Sequence, residues 1–128
     1  MILVVDDEES ILRVTKMILE NHGYRVLSTR DGPEALAIFA KQMNSIGAVL
    51  TDIVLPFMDG VTLIRTLKKM KADVAFIAST GKSEHSHAPE LLALGVNYLL
   101  TKPYDTQQLL KTLHDALAGE AGKLSGLP

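Results

Sequence analysis

Four short segments carry the residue types that could do chemistry: Asp6-Asp7-Glu8-Glu9, Thr51-Asp52, Ser79-Thr80-Gly81 and Thr101-Lys102-Pro103. Carboxylates gathered closely raise one another's pKa and resist joint ionisation unless a cation compensates. An all-oxygen cluster suits a hard divalent ion, and a site with few protein ligands that keeps its waters favours Mg²⁺ over Ca²⁺. Together the segments hold the parts of a phosphoryl acceptor. A carboxylate attacks phosphorus, a divalent ion and an ammonium neutralise the equatorial oxygens, and a hydroxyl holds another oxygen.

Each segment also has a plainer reading. Asp6-Asp7-Glu8-Glu9 could cap a helix and place favourable charge at its N-terminus. Lys102 could be a snorkelling side chain, and Thr80 a cap or turn former. Asp52 resists such a reading most strongly. It closes the run 46–50 and precedes Ile53-Val54-Leu55, so it sits among apolar residues, where a carboxylate is unfavourable unless paired.

The elements that must position these groups follow from the pattern. Apolar, β-branched runs at 2–5, 25–29, 48–50, 74–78 and 98–100 are each followed by helical periodicity. Between them, Ile11/Val14/Ile18, Leu36/Phe39/Ala40, Leu63/Leu67/Met70 and Leu109/Leu113/Leu117 recur at helical spacing and are the expected core stripes. Asp31-Gly32-Pro33 reads as a turn into a helix with proline at its first position, Asp59-Gly60 as another turn, and Gly23 and Gly95 as helix ends. Strands alternating with helices imply a parallel sheet covered on both faces. Ligands of such sheets bind beyond the carboxyl ends of the strands, where all four segments fall. If the first and third strands are neighbours, Asp6, Asp7 and Asp52 converge.

With those residues in view, the chain resembles the receiver domain of bacterial response regulators. The resemblance rests on Ile2-Leu3-Val4-Val5-Asp6-Asp7-Glu8, Thr51-Asp52-Ile53-Val54-Leu55-Pro56-Phe57-Met58-Asp59-Gly60, Ser79-Thr80-Gly81 and Thr101-Lys102-Pro103, and runs from Ile2 to about Ala118. It implies a flavodoxin-like (βα)5 doubly wound α/β fold with strand order 2-1-3-4-5. It implies phosphorylation of Asp52 by a phosphohistidine of a histidine kinase or phosphotransfer protein. Asp7, Asp52 and the backbone carbonyl of Val54 would bind Mg²⁺, with Asp6 acting largely through water. Thr80 and Lys102 would contact the phosphoryl group, and the bond before Pro103 is often cis in this family. By the same resemblance the chain is no conventional enzyme, but catalyses its own phosphorylation and slow dephosphorylation.

Two departures from the family pattern bear on output. The family's switch aromatic, three residues before the lysine, is Leu99 here, and Tyr98 stands one residue earlier, hence on the opposite strand face and in the core. Pro89 falls where the fourth helix would be midway, so a short helix from near Ala88 is expected after a long mobile loop. That loop holds Glu84, His85 and His87, which lack the supporting ligands of a metal site.

Composition narrows the remaining classes. The 128 residues suit one domain, read as 1–118 with 119–128 as a glycine-containing tail or linker. A net charge of −2 with scattered Lys and Arg argues against nucleic-acid binding, and the absence of cysteine fits a reducing cytoplasm. The most apolar stretch, 46–57, is too short to span a membrane. Alternatives are a phosphorylation-independent interaction module, a flavin or nucleotide binder and an aspartyl phosphatase. A flavin or nucleotide binder would want a phosphate-cradling loop after the first strand, and a phosphatase a second acid where Val54 stands.

Overall fold

The computed structural model describes residues 1–81 and 88–119. Ten elements alternate along the chain: β1 (Ile2–Val5), α1 (Glu9–Asn21), β2 (Val26–Thr29), α2 (Gly32–Gln42), β3 (Ala48–Asp52), α3 (Gly60–Met70), β4 (Ala75–Thr80), α4 (Ala88–Ala93), β5 (Tyr98–Thr101) and α5 (Thr106–Leu117). All four strand pairings are parallel and the order is β2-β1-β3-β4-β5, the expected doubly wound sheet.

Side chains alternate across the strands and so divide the core in two. Leu3, Val5, Val49, Phe76 and Ala78 pack with Phe39 of α2, Leu63, Ile64 and Leu67 of α3 and Leu91 of α4. Ile2, Val4, Leu50, Ile77 and Leu100 pack with Leu12 and Leu19 of α1 and Leu109 and Leu113 of α5. Each residue of β1 is buried because helices cover both faces of a central parallel strand. All three tyrosines, Tyr24, Tyr98 and Tyr104, lean on the second of these clusters.

The helix starts are set by side chains that satisfy free backbone N–H groups. Asp31 accepts from the N–H of Glu34, Asp59 from Thr62, and Asp105 forms a full capping box with Gln108. The helix after Asp31 starts at Gly32, so Pro33 is its second residue and not its first. Gly23 and Gly95 take the left-handed conformation expected beyond helix ends, with φ of 90° and 84°.

Several expected core stripes are displaced. In α1 the buried residues are Leu12, Thr15 and Leu19, while Val14 of the expected stripe is 48% exposed. Two apolar stripes with the same spacing run along this helix, and periodicity cannot choose between them. In α2 Ala35 joins Phe39 in the core and Ala40 is exposed; in α3 Met70 is partly exposed, at 37%. In α5 the buried stripe ends on Ala116 and Leu117 is exposed, since a 3.6-residue turn drifts off a strict four-residue repeat.

Strands β3, β4 and β5 extend past the ends of their apolar runs. The ladder pairs Asp52 with Ser79 and Thr80 with Thr101, so Asp52 and Thr80 are the last residues of strands and not the first residues of loops. Tyr98 lies on the α1/α5 side as expected, although half-buried and not enclosed, and Leu99 is 40% exposed. Pro89 sits in the first turn described for α4, where proline is tolerated. The preceding segment 82–87, with Glu84, His85 and His87, lies outside the described residues, as does most of the expected tail.

Candidate functional site

Parallel register brings the ends of β1, β3 and β4 level, and one half-buried lysine ties them together. The Lys102 Nζ donates to Asp52 Oδ2 at 2.9 Å and lies 2.8 Å from Asp6 Oδ2. Glu8 Oε1 completes a third ion pair at 3.5 Å. Asp6 and Asp52 are buried, as is most of the lysine, whereas the Glu8 side chain is 57% exposed. The Lys102 backbone N–H donates to the Thr80 carbonyl at 2.7 Å, and the Lys102–Pro103 bond is cis.

Burial opposes charge on both kinds of partner, and the outcome differs. At Asp6 desolvation wins, raising the carboxyl pKa against the lowering effects of Lys102 and the Glu8 N–H, and nearby Asp52 adds to the rise. At Lys102 desolvation is the largest single effect but loses to the combined pull of Asp52 and Asp6, so the ammonium pKa is raised. The lysine is therefore charged at neutral pH, and fixed between two acids that would otherwise repel each other.

The other Asp52 oxygen has a different partner. Asp52 Oδ1 accepts from the Val54 N–H at 3.1 Å, which orients the carboxylate. The β3–α3 loop turns back tightly here: the Gly60 N–H donates to the Ile53 carbonyl at 2.8 Å. A Cβ at Gly60 would lie 2.5 Å from Ile53 Cα and closer still to the Asp52 carbonyl oxygen, so no larger residue fits without moving the end of β3. The same loop holds Phe57 at φ 70°, 87% exposed.

A cleft of about 340 Å³ opens over this centre, lined by Asp7, Glu8, Asp52, Val54, Gly81 and Lys102. The structure thus brings Asp6, Asp52 and Lys102 into contact and places Asp7 and Val54 on the wall beside them. Thr80 ends β4 at the same edge, next to Gly81, and is buried. Carboxylate oxygens of Asp6, Glu8 and Asp52 lie within 4.8 Å of one another, a group that could hold a metal ion.

Two participants escaped the sequence reading. Glu8 appeared within a capping segment, yet its side chain makes no cap hydrogen bond; its N–H donates to Asp6 Oδ1 at 2.9 Å and its carboxylate faces Lys102. Tyr104 supports the lysine loop from below, its hydroxyl 3.0 Å from Thr15 Oγ1 in α1. Burial raises the Tyr104 pKa, with the Thr15 bond acting the other way. A polar residue within an apolar helix stripe, such as Thr15, was the one available hint of such a partner.

Comparison with known proteins agrees with this geometry. The family model described as the response regulator receiver domain matches residues 2–114. The response regulator SaeR of Staphylococcus aureus is 29% identical over 116 residues, covering 91% of this chain and 50% of SaeR. The chain thus spans about half the length of that curated relative. Among solved structures, a response regulator receiver domain protein from Clostridium thermocellum superposes with TM-score 0.88 at 34% identity, covering 94% of this chain and 95% of its own. The chemotaxis response regulator CheY4 of Vibrio cholerae gives 0.81 at 29%, covering 90% and 96%. Among the described residues no helix is long and apolar enough to cross a membrane.

Proposed function

The chain belongs to the response regulator receiver family, and from that premise we propose that it accepts a phosphoryl group on Asp52 from a phosphohistidine of a histidine kinase or phosphotransfer protein. The observation that carries this reading is Lys102, held 2.8 Å from Asp6 and 2.9 Å from Asp52. An ammonium so placed stands ready to neutralise incoming phosphoryl oxygens.

The chemistry is a displacement at phosphorus. An Asp52 carboxylate oxygen forms the new O–P bond as the N–P bond of the phosphohistidine breaks, and the leaving imidazole keeps the bonding pair and takes up a proton. The Val54 N–H holds Oδ1 and fixes the carboxylate plane. Lys102 pairs with the transferred oxygens, and the Thr80 hydroxyl donates to another once that side chain turns toward the group. Gly81 on the cleft wall leaves room for it.

The donor set is all oxygen and carries more negative charge than Lys102 balances, which fits a hard divalent cation. Asp6, Asp7, Asp52 and the Val54 carbonyl would hold Mg²⁺, which when bound neutralises charge on the acceptor and the phosphoryl oxygens. We assign residues 1–118 to the receiver unit and 119–128 to a tail or linker, with the reaction in the cytoplasm, where a kinase donor works.

The test is direct. With Mg²⁺ and a small phosphodonor the protein should gain one acid-labile phosphoryl group, and Asp52→Asn should abolish it. Label that persists in Asp52→Asn overturns the assignment.

A further inference from the structure

We infer that Arg30 is a positioning residue for the acceptor site, acting through Asp7, whose place on the cleft wall it fixes from behind. The inference deepens the function proposed above and rests on it, since Asp7 serves there as a ligand of the divalent ion.

Three observations converge on Arg30. First, its Nη2 donates to the Asp7 carbonyl at 3.0 Å, joining residues 23 apart in the chain. The pairing of β1 with β2 stops just short of that point: Val5 faces Thr29, and the Asp6 N–H donates to the Thr29 carbonyl at 3.2 Å. The Arg30 side chain carries the tie one residue further, to Asp7. Second, the guanidinium takes a neutral carbonyl although Glu9, Asp31 and Glu34 line the same hollow of about 610 Å³. Glu9 pairs with Arg13, Asp31 caps the N–H of Glu34, and among the described residues Arg30 pairs with none of the three. Third, Asp7 has no other hold on its side. Asp6 is buried and accepts the Glu8 N–H, whereas Asp7 is half-buried and its side chain makes no hydrogen bond or ion pair among the described residues. Asp7 lines both the cleft over Asp52 and the hollow that holds Arg30, and so forms the partition between them.

Arg30 acts on the site in two opposed ways. Its charge repels an arriving cation, and its hydrogen bond orders the residue that receives it. The side chain is exposed, so water and salt screen the repulsion. The ordering is not screened, because a loop already held in place loses little freedom on binding. Positioning therefore outweighs repulsion.

The test is Mg²⁺ titration of Arg30→Met and of the unsubstituted chain, without phosphodonor, followed by NMR of the backbone amides of 6–8 and 53–54. At an exposed position the substitution leaves the fold intact, which the amide spectrum checks. The dissociation constant should rise about fivefold, as the loss of one hydrogen bond implies, although a repelling charge has gone. In labelling from a small phosphodonor, the Mg²⁺ concentration for half-maximal rate should rise alike, with the rate at saturating Mg²⁺ within about twofold. A dissociation constant unchanged within about twofold, or lowered as the loss of a bare charge would make it, overturns the inference. The metal-free protein gives a separate readout, the carbonyl carbon shift of Asp7, which should move in Arg30→Met. An unmoved Asp7 carbonyl also overturns the inference, whether or not the chain binds Mg²⁺. A chain that binds no Mg²⁺ sinks the proposed function instead, and Arg30 then stands or falls on that carbonyl shift.

Discussion

Replacing Gly60 by alanine should move the acceptor aspartate. The new Cβ would stand 2.5 Å from Ile53 Cα, whereas ordinary contact begins at 3.4 Å, so the loop and the end of β3 must part by roughly 0.9 Å. The atoms in the way are backbone and cannot swing aside, and the Gly60 to Ile53 hydrogen bond of 2.8 Å lies in the same contact. Overpacking of this kind costs about 2 kcal/mol or more, which at this chain length lowers Tm by on the order of 8 °C. A displacement of about 1 Å at a reacting group lowers rates by roughly a hundredfold. Thermal denaturation followed by circular dichroism reads the first effect, and the initial rate of acid-labile labelling from a small phosphodonor reads the second. Gly47→Ala is the control, since its Cβ meets Leu117 at an ordinary 3.5 Å. A Gly60→Ala protein with Tm within 2 °C and labelling within about threefold of the unsubstituted chain would refute the reasoning.

Removing the lysine with Lys102→Met strands two buried carboxylates, and urea unfolding at neutral pH should show a loss of about 3–5 kcal/mol. The pH dependence separates the partners. Because the Lys102 pKa is raised on folding, its contribution is complete below 10.5 and is lost as pH climbs through the higher folded value. Asp6 has the opposite consequence: its folded pKa is raised above 3.8, so stability falls as pH rises between the two values, more steeply in Lys102→Met, where the lowering partner is gone. Tyr104→Phe breaks the 3.0 Å bond to buried Thr15 and should cost about 1 kcal/mol by the same unfolding assay. Thr29→Val replaces a buried hydroxyl that has no hydrogen-bond partner among the described residues, and should stabilise by about 1 kcal/mol; an unchanged or lowered Tm would indicate that the hydroxyl is satisfied.

The acceptor edge was legible because its residues break the local pattern. Asp52 in an apolar run and Lys102 before a proline are unfavourable choices for a strand end unless they meet, and the parallel order that makes them meet follows from the βα alternation. The helix faces were harder to read. Val14 and Leu12 have equal claims on the core by spacing, and the choice falls on Leu12 through the docking of α1 against β2 and β1, which is a tertiary matter. Glu8 was illegible for a related reason. Its place at the start of a helix describes capping or favourable N-terminal charge, and only the folded arrangement shows its carboxylate turned to Lys102.

The distribution of the tyrosines decides what optical spectroscopy can see. The chain has no tryptophan, and Tyr24, Tyr98 and Tyr104 all pack on the α1/α5 side of the sheet. Intrinsic emission is therefore a one-sided reporter: it registers events that reach Tyr104 through the lysine loop, and is blind to the opposite layer, where Phe39 and Phe76 are the buried aromatics. A rearrangement confined to Leu99 and the α3–α4 side would leave the emission flat. Following it calls for a tryptophan introduced on that side, or for methyl resonances of leucines such as Leu99 and Leu92, which are already exposed there.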